Sequence, residues 1–499
     1  MSGWNFGLAM PEWILSVSVL VVLFLDARTP HDRKRSVTRA AALGVILATA
    51  WALVQGFSLL GKHYAFQGHY GADSFSAVFK CLFGITSLIV MAMSGTWLER
   101  VDRGHGEFRI LALLATLGMF FVASVEDFAT LFVSLELITV SFYCLTAFKR
   151  NDERAVEAGV KYVILGALAS AFLLMGIAFV YGSTGSLWLR DLSLSEASLA
   201  PDSPQAILLT FGMLLTLVGL GFKVAAVPFQ VWTPDVYQGA ASPVTAFLSM
   251  GSKAAGFVLL LKVIRAGLGP SADAGLAIAA SWVGLIALLA AATVLYGNLG
   301  AIWQGDIKRL LGYSSIGHAG YMLMGIMTFN ERGFAAVLYY LMAYLFTVLA
   351  VFAVVVIVNG VTRSHRIDDY SGLGRKSPFL ALVMTVGLLS LAGVPPLAGF
   401  FGKFLLFMAV IAKGTVLAYV IAFIGAGAAV ISLYYYLCVV KRLYIYEPAG
   451  GAFAEPFRVT HSMTLVLWVC LIGMFLLGIF VRPFLALAEH AAGALVAAG

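Results

Sequence analysis

The sequence predicts an all-α polytopic membrane protein of about fourteen transmembrane helices, and three observations carry that expectation. The first is composition: 61% of the 499 residues are hydrophobic and 11% charged. The mean hydropathy is +0.94, whereas soluble domains carry about 25% charged residues. The second is the recurrence of apolar runs of roughly 17–25 residues, the length needed to cross a ~30 Å hydrocarbon core. The third is the segregation of Lys and Arg into alternate connections. The net charge of +7 therefore reads as membrane orientation, and without a basic patch it gives no reason to expect nucleic acid as a partner.

The spans fall at 11–26, 39–60, 73–97, 109–125, 127–148, 157–181, 205–238, 242–264, 275–298, 303–328, 333–360, 376–413, 415–446 and 459–488. The first carries Glu12, lacks a basic flank and shows no small-residue cleavage pattern, so it is expected to be a retained span. Connections after odd-numbered spans, with their flanks, hold twenty basic residues, among them Arg33-Lys34-Arg35, Lys149-Arg150, Lys308-Arg309 and Arg375-Lys376. The opposite side holds seven, which places the odd connections in the cytoplasm and both termini outside. The longest connection, about 182–204, is a Ser/Leu-rich external loop, and none is long enough for a soluble catalytic domain. Cys81, Cys144, Cys438 and Cys470 all lie in apolar segments without CxxC spacing, so they read as packing residues and neither disulfides nor metal ligands are expected. Gly425-Ala426-Gly427 sits mid-membrane with no strand before it and reads as helix packing.

Span 7, LVGLGFKVAAVPFQVWTPDVYQ, holds Lys223 five residues before Pro228. A lysine in hydrocarbon costs roughly 2.5–3.5 kcal/mol on insertion scales, and a proline removes a backbone hydrogen bond that lipid cannot replace. Together they describe a broken helix with an ionisable group at the break, the layout of an ion-transfer site. Span 12 repeats the pattern: in SLAGVPPLAGFFGKF, Pro395-Pro396 stand mid-span and Lys403 follows seven residues later. The two broken spans, 7 and 12, are five apart, an odd offset, so they cross the membrane in opposite directions. The expected organisation is helices 1–3 in 1–108, a first repeat of helices 4–8 in 109–264, an inverted second repeat of helices 9–13 in 275–446, and helix 14 in 459–499.

Between the breaks lies a row of ionisable groups. Glu136 in span 5, Lys253 in span 8 and His318 in span 10 fall at depths of roughly 14–17 Å at 1.5 Å per residue, near mid-membrane. Neighbouring amines, carboxylates and imidazoles can exchange protons when a partner moves or changes charge. Glu136 is the natural carboxylate partner for Lys223, and helix breaks expose backbone groups that hold water. Each residue has a plainer structural alternative: a static buried ion pair that fixes helix packing for Glu136, a core histidine satisfied by a Ser or backbone partner for His318, and a purely structural part for Lys223 and Lys403 at the breaks and for Lys253, whose span reads as unbroken. Lys161, four residues into span 6, reads equally as a snorkelling interface lysine; snorkelling is favoured for Lys80, seven residues into span 3. Tyr434-Tyr435-Tyr436 read as belt and packing residues.

Glu136, GFKVAAVPFQVWTPDVYQGA with Lys223, SMGSKAAGF with Lys253, and LAGVPPLAGFFGKF together resemble the antiporter-like membrane subunits of respiratory complex I, the bacterial proton-translocating NADH–quinone oxidoreductase, over essentially the whole chain. Lys403, where M-type members usually carry glutamate, and a chain expected to end soon after span 14, without the long lateral helix of L-type members, resemble the N-type branch. The resemblance implies a proton-pumping module that binds no NADH, FMN, iron–sulfur cluster, quinone or metal itself, although the parent complex uses NADH, FMN, iron–sulfur clusters and quinone (ubiquinone). It implies neighbouring antiporter-like and small membrane subunits as partners, and a bacterial inner-membrane location. It assigns Glu136 and Lys223 to a modulating pair, Lys253 and His318 to a central relay, Lys403 to the exit, and tilts Lys161 toward function; Lys80 receives no role. The competing readings are a subunit of a multi-subunit sodium/proton antiporter, a subunit of a membrane-bound hydrogenase or dehydrogenase with another donor, and a structural scaffold.

Overall fold

The computed structural model describes residues 5–29, 35–59, 61–98, 104–192, 203–273, 277–447, 457 and 459–497. Arg33 and Lys34, and residues 193–202 of the long external loop, lie outside the described residues. The helices are α1 (Met10–Arg28), α2 (Arg35–Ser58), α3 (Ser74–Leu98), α4 (His105–Ser124), α5 (Phe128–Thr146), α6 (Glu153–Thr184), α7 (Pro204–Val224), α8 (Trp232–Gly239), α9 (Ser242–Phe247) and α10 (Lys253–Asp273). They continue with α11 (Ala277–Ile302), α12 (Ile307–Ile326), α13 (Glu331–Thr362), α14 (Leu373–Lys376), α15 (Pro378–Ala392), α16 (Ala398–Ile411), α17 (Val416–Tyr444), α18 (His461–Ile479) and α19 (Val481–Ala497). A short antiparallel hairpin, β1 (His63–Ala65) and β2 (Tyr70–Ala72), joins α2 to α3 with Tyr64 opposite Gly71.

Twelve of the described helices are long and apolar enough to cross a membrane. Two further elements stand where the sequence places spans 10 and 12: α12, whose hydropathy Lys308, Arg309 and His318 dilute, and the pair α15 and α16, each too short alone. Helix α13 is apolar on every side and buried over nearly its whole length, so it is the spine of the bundle. Where a span is interrupted, the backbone turns left-handed: Ala225 ends α7 at φ 63° and Gly393 ends α15 at φ 91°. Amides after each turn bond back to the last helical carbonyls, Ala226 to Gly221 and Val394 to Leu389.

Chain segments far apart in sequence repeat the same local geometry. Asp127 accepts from the amides of Ala129 and Thr130 to start α5, and Asp306 accepts from those of Lys308 and Arg309 to start α12. Each of these caps forms an isolated antiparallel bridge, Asp127 with Trp188 and Asp306 with Arg366. Helices α6 and α13 are each 32 residues long and end in a left-handed residue, Gly185 and Arg363.

Three expectations need correction. Span 8 is not one regular helix: a π turn at Leu248–Ser252 separates α9 from α10 and stands directly before Lys253. Span 14 stops at Ile479, and α19 follows as a separate helix. The reason is tertiary, since Ala488, Ala491, Ala492 and Leu495 form one buried stripe on α19, which packs on α13 and α3. Lys80 does not snorkel. It is 1% exposed, pairs with Glu12 at 2.8 Å and donates to the Tyr70 hydroxyl at 2.6 Å, while that hydroxyl donates to the other Glu12 oxygen at 2.9 Å.

This triad ties α1, β2 and α3 together, and removing one charge strands the other. Glu12→Ala is expected to destabilise the chain by about 3–5 kcal/mol, whereas Glu12→Leu combined with Lys80→Met recovers most of the loss. Thermal unfolding of the purified complex checks this, and a single variant as stable as the parent contradicts it.

Candidate functional site

Lys223 lies in the last turn of α7, 3% exposed, where the carbonyl end of the half-helix favours a cation. Its ammonium donates to the Thr139 hydroxyl of α5 at 2.5 Å. Among the described residues no carboxylate comes within 4.0 Å of it. Glu136, one turn before Thr139, is half-buried and accepts from Ser170 of α6 at 2.6 Å. The structure thus brings Lys223 to Thr139, one turn of α5 from Glu136, without joining Lys223 and Glu136 in an ion pair.

Lys253, 2% exposed, opens α10 and donates to the Ser315 carbonyl of α12 at 2.6 Å and to the Ser315 hydroxyl. The Tyr344 hydroxyl of α13 donates to the same Ser315 oxygen at 3.1 Å, and Tyr237 of α8 shares it at 3.2 Å. One turn along α12, His318 places Nδ1 2.5 Å from the Tyr340 hydroxyl and Nε2 3.2 Å from the Tyr436 hydroxyl, with its ring 5.1 Å from that of Tyr344. Tyr436 also bonds to Ser314. Close backbone contact fixes α12 here: a Cβ on Gly297 of α11 would stand 2.2 Å from the Gly317 amide nitrogen, so only glycine permits the crossing.

Lys403, 4% exposed, reaches back across the second break to the carbonyl of Ala392, the last residue of α15, at 2.9 Å. Its ammonium lies 4.7 Å above the Tyr321 ring, whose centroid is 6.2 Å from that of His318. Lys253, His318 and Lys403 are therefore gathered into one buried cluster, in which hydroxyls meet Lys253 and His318 and the Tyr321 ring lies between His318 and Lys403. Lys161 stands apart at the bundle surface, half-exposed, paired with Glu157 at 2.8 Å and Asp235 at 2.9 Å. Asp235 in turn holds Arg309 at 2.5 Å, joining α6, α8 and α12.

The hydroxyls that connect the row were missed in the sequence. Tyr434 is 61% exposed and fits the belt reading, but Tyr436 is fully buried against His318, and Tyr435 donates to Asn298 at 3.0 Å. A signal existed on α13, where Tyr340 and Tyr344 recur four residues apart on an otherwise apolar helix. Further buried hydroxyls lack a protein partner: Tyr143, Thr146 and Thr233. They lie on α5 and α8. No group of three or more His, Cys, Asp or Glu among the described residues is placed to hold a metal ion.

A family model described as NADH:quinone oxidoreductase/Mrp antiporter, TM, matches residues 125–432. NADH-quinone oxidoreductase subunit N of Moorella thermoacetica is 40% identical over 481 residues, 96% of each chain. A chain in the structure of respiratory complex I from Thermus thermophilus with bound aureothin is 34% identical, with a TM-score of 0.78 over 96% of this chain and 99% of that one. A chain of the Mrp complex from Dietzia sp. DQ12-45-1b, 20% identical with a TM-score of 0.82 over 99% and 98%, is similar in fold alone. The chain belongs to the NADH:quinone oxidoreductase/Mrp antiporter membrane family, and its similarity to subunit N of NADH-quinone oxidoreductase runs nearly end to end.

Proposed function

We propose that this chain is a proton-translocating subunit of a bacterial NADH–quinone oxidoreductase, seated among other membrane subunits of that complex and taking no part in electron transfer itself. The observation that carries the reading is the buried row of Lys223, Lys253, His318 and Lys403 at the height of two helix interruptions, connected in part by tyrosine and serine hydroxyls. The row asks little of the protein beyond proton exchange. A Lys253 ammonium gives a proton toward the Ser315 and Tyr344 hydroxyls; each hydroxyl accepts one proton and releases another. His318 faces two tyrosine hydroxyls with its two nitrogens, so it takes a proton on one and yields it from the other. Lys403 is the next base, and the adjoining half-helix carbonyl stabilises its charged form.

Glu136 and Lys223 form the controlling pair in this reading. Because Lys223 is held by a neutral hydroxyl, a shift that brings it toward Glu136 stabilises its ammonium, and withdrawal favours release of the proton to the row. Lys161 belongs to the same half and answers to Asp235. The matched caps of α5 and α12, the equal lengths of α6 and α13 and the paired left-handed breaks support two inverted repeats, helices 4–8 and 9–13. The Lys/Arg distribution supports a bacterial inner-membrane orientation with both termini outside.

In vesicles holding the assembled complex, Lys253→Ala, Lys223→Ala and Glu136→Gln are expected to lower NADH-driven proton pumping by roughly tenfold or more, within the reach of one positioned proton-transfer group. Parental pumping in all three sinks the assignment, and sodium-dependent proton exchange indifferent to NADH favours the antiporter reading instead. Tyr436→Phe keeps the ring and is expected to slow pumping while costing about 1 kcal/mol in stability for the lost hydrogen bond; unchanged pumping removes that hydroxyl from the relay. For orientation, a C-terminal reporter active only outside the cytoplasm is expected to give signal, and activity from a cytoplasm-only reporter contradicts the topology.

A further inference from the structure

Helix α8, the second half of the interrupted span 7, is bonded at its start to the turn that carries Lys223 and further along to the partner of Lys253. The Trp232 indole donates to the Phe222 carbonyl of α7 at 3.0 Å, next to Lys223. Five residues on, roughly 7.5 Å along the helix, Tyr237 meets the Ser315 hydroxyl at 3.2 Å. That hydroxyl oxygen already accepts from Lys253 and from Tyr344. A hydroxyl has two lone pairs and one hydrogen, so Ser315 donates to Tyr237, and this bond fixes the direction in which its lone pairs face the Lys253 ammonium.

The flanks of α8 are clamped by charge. Asp235 accepts from Arg309 of α12 through one carboxylate oxygen at 2.5 Å and from Lys161 of α6 through the other at 2.9 Å. Gln238 adds two bonds to α12 and its cap, accepting from Arg309 at 3.1 Å and donating to Asp306 at 3.3 Å. Packing is close on both sides: a Cβ on Gly239 would stand 2.4 Å from the Arg154 carbonyl oxygen of α6, and one on Gly312 of α12 would stand 3.2 Å from the Pro234 Cα. The Trp232 ring stacks on Tyr162 of α6 at 4.8 Å. One carboxylate, two residues from Tyr237, therefore ties α8 to both neighbouring helices, and a half-helix held in this way moves as a unit.

We infer that Asp235 is a positioning residue for proton transfer at Lys253, acting through α8: it holds Tyr237 on Ser315, and α8 carries movement of the Lys223 turn to that bond. The inference rests on the proton-translocating reading above. Asp235 exchanges no proton itself. When the last turn of α7 shifts, Trp232 and then Tyr237 follow. The bond to Ser315, at 3.2 Å, already stands at the long end for two hydroxyls, so a displacement of about half an ångström releases it. The freed Ser315 hydroxyl then turns and loosens its hold on the Lys253 ammonium.

The test uses the whole complex in sealed vesicles, with NADH oxidation by an artificial acceptor as the control for assembly, and compares Asp235→Asn, Tyr237→Phe and the double variant. Each single variant is expected to lower NADH-driven proton pumping several-fold at a parental control rate. The double variant is expected to pump no worse than the poorer single, because the two residues act as one unit. Asp235→Glu, which restores the carboxylate, is expected to recover most of the pumping. A double variant whose loss is the product of the two single losses overturns the positioning role, as does parental pumping in Asp235→Asn or no recovery in Asp235→Glu; with Lys253→Ala still defective, each of these leaves the function standing. Parental pumping in Lys253→Ala as well overturns both. If Asp235→Asn does not assemble, Arg309→Gln takes its place in the cycle. Losses that do not compound with those of Tyr237→Phe then support the positioning role, and multiplied losses or parental pumping overturn it.

Discussion

Burying an ammonium in the middle of a membrane is the constraint on which the rest of this structure depends. Each such lysine costs roughly 2.5–3.5 kcal/mol to insert, and two kinds of partner offset that cost. Lys223, Lys253 and Lys403 are met by neutral oxygens: the Thr139 hydroxyl, the Ser315 carbonyl and hydroxyl, and the Ala392 carbonyl. Lys80 is met by the Glu12 carboxylate. The distinction is chemical. An amine held by neutral dipoles can lose its proton without stranding a buried anion, whereas deprotonating Lys80 leaves Glu12 uncompensated. The first arrangement suits proton exchange, and the second suits a fixed staple.

The backbone interruptions follow from the same constraint. The carbonyls of a continuous helix are already engaged by its own amides, so it has less to offer a cation at mid-membrane than a helix end does. Ending α7 at Val224 and α15 at Ala392 brings half-helix carbonyl ends to the depth of Lys223 and Lys403, and the left-handed residues Ala225 and Gly393 turn the chain with its amides bonded back. The uniformly apolar α13 supplies the dry wall between them, broken by Tyr340 and Tyr344 where the row passes.

The apolar runs made the membrane class and twelve of the spans legible, because crossing length and hydropathy are properties of contiguous sequence. The interruptions at 225–231 and 393–397 were legible from their prolines. The π turn before Lys253 was not, since Leu248–Ser252 contains no residue that demands it. Lys80 was misread because depth along one helix says nothing of a carboxylate brought over from another. Lys253 and His318 were picked out as ionisable residues in apolar runs, but Ser315, Tyr340 and Tyr436 were passed over, because a buried hydroxyl in a connecting role and one in ordinary packing look alike until the partner helix is in place.

The central proposal is that the gathered groups form one protonic connection between Lys253 and Lys403, with His318 standing between them. The most direct measurement is proton flux into sealed vesicles during NADH oxidation by a complex carrying His318→Phe, set against NADH oxidation with an artificial acceptor as the control for assembly. The account predicts that the flux collapses while the control rate stays at the parental value. Parental flux through an assembled His318→Phe complex contradicts it.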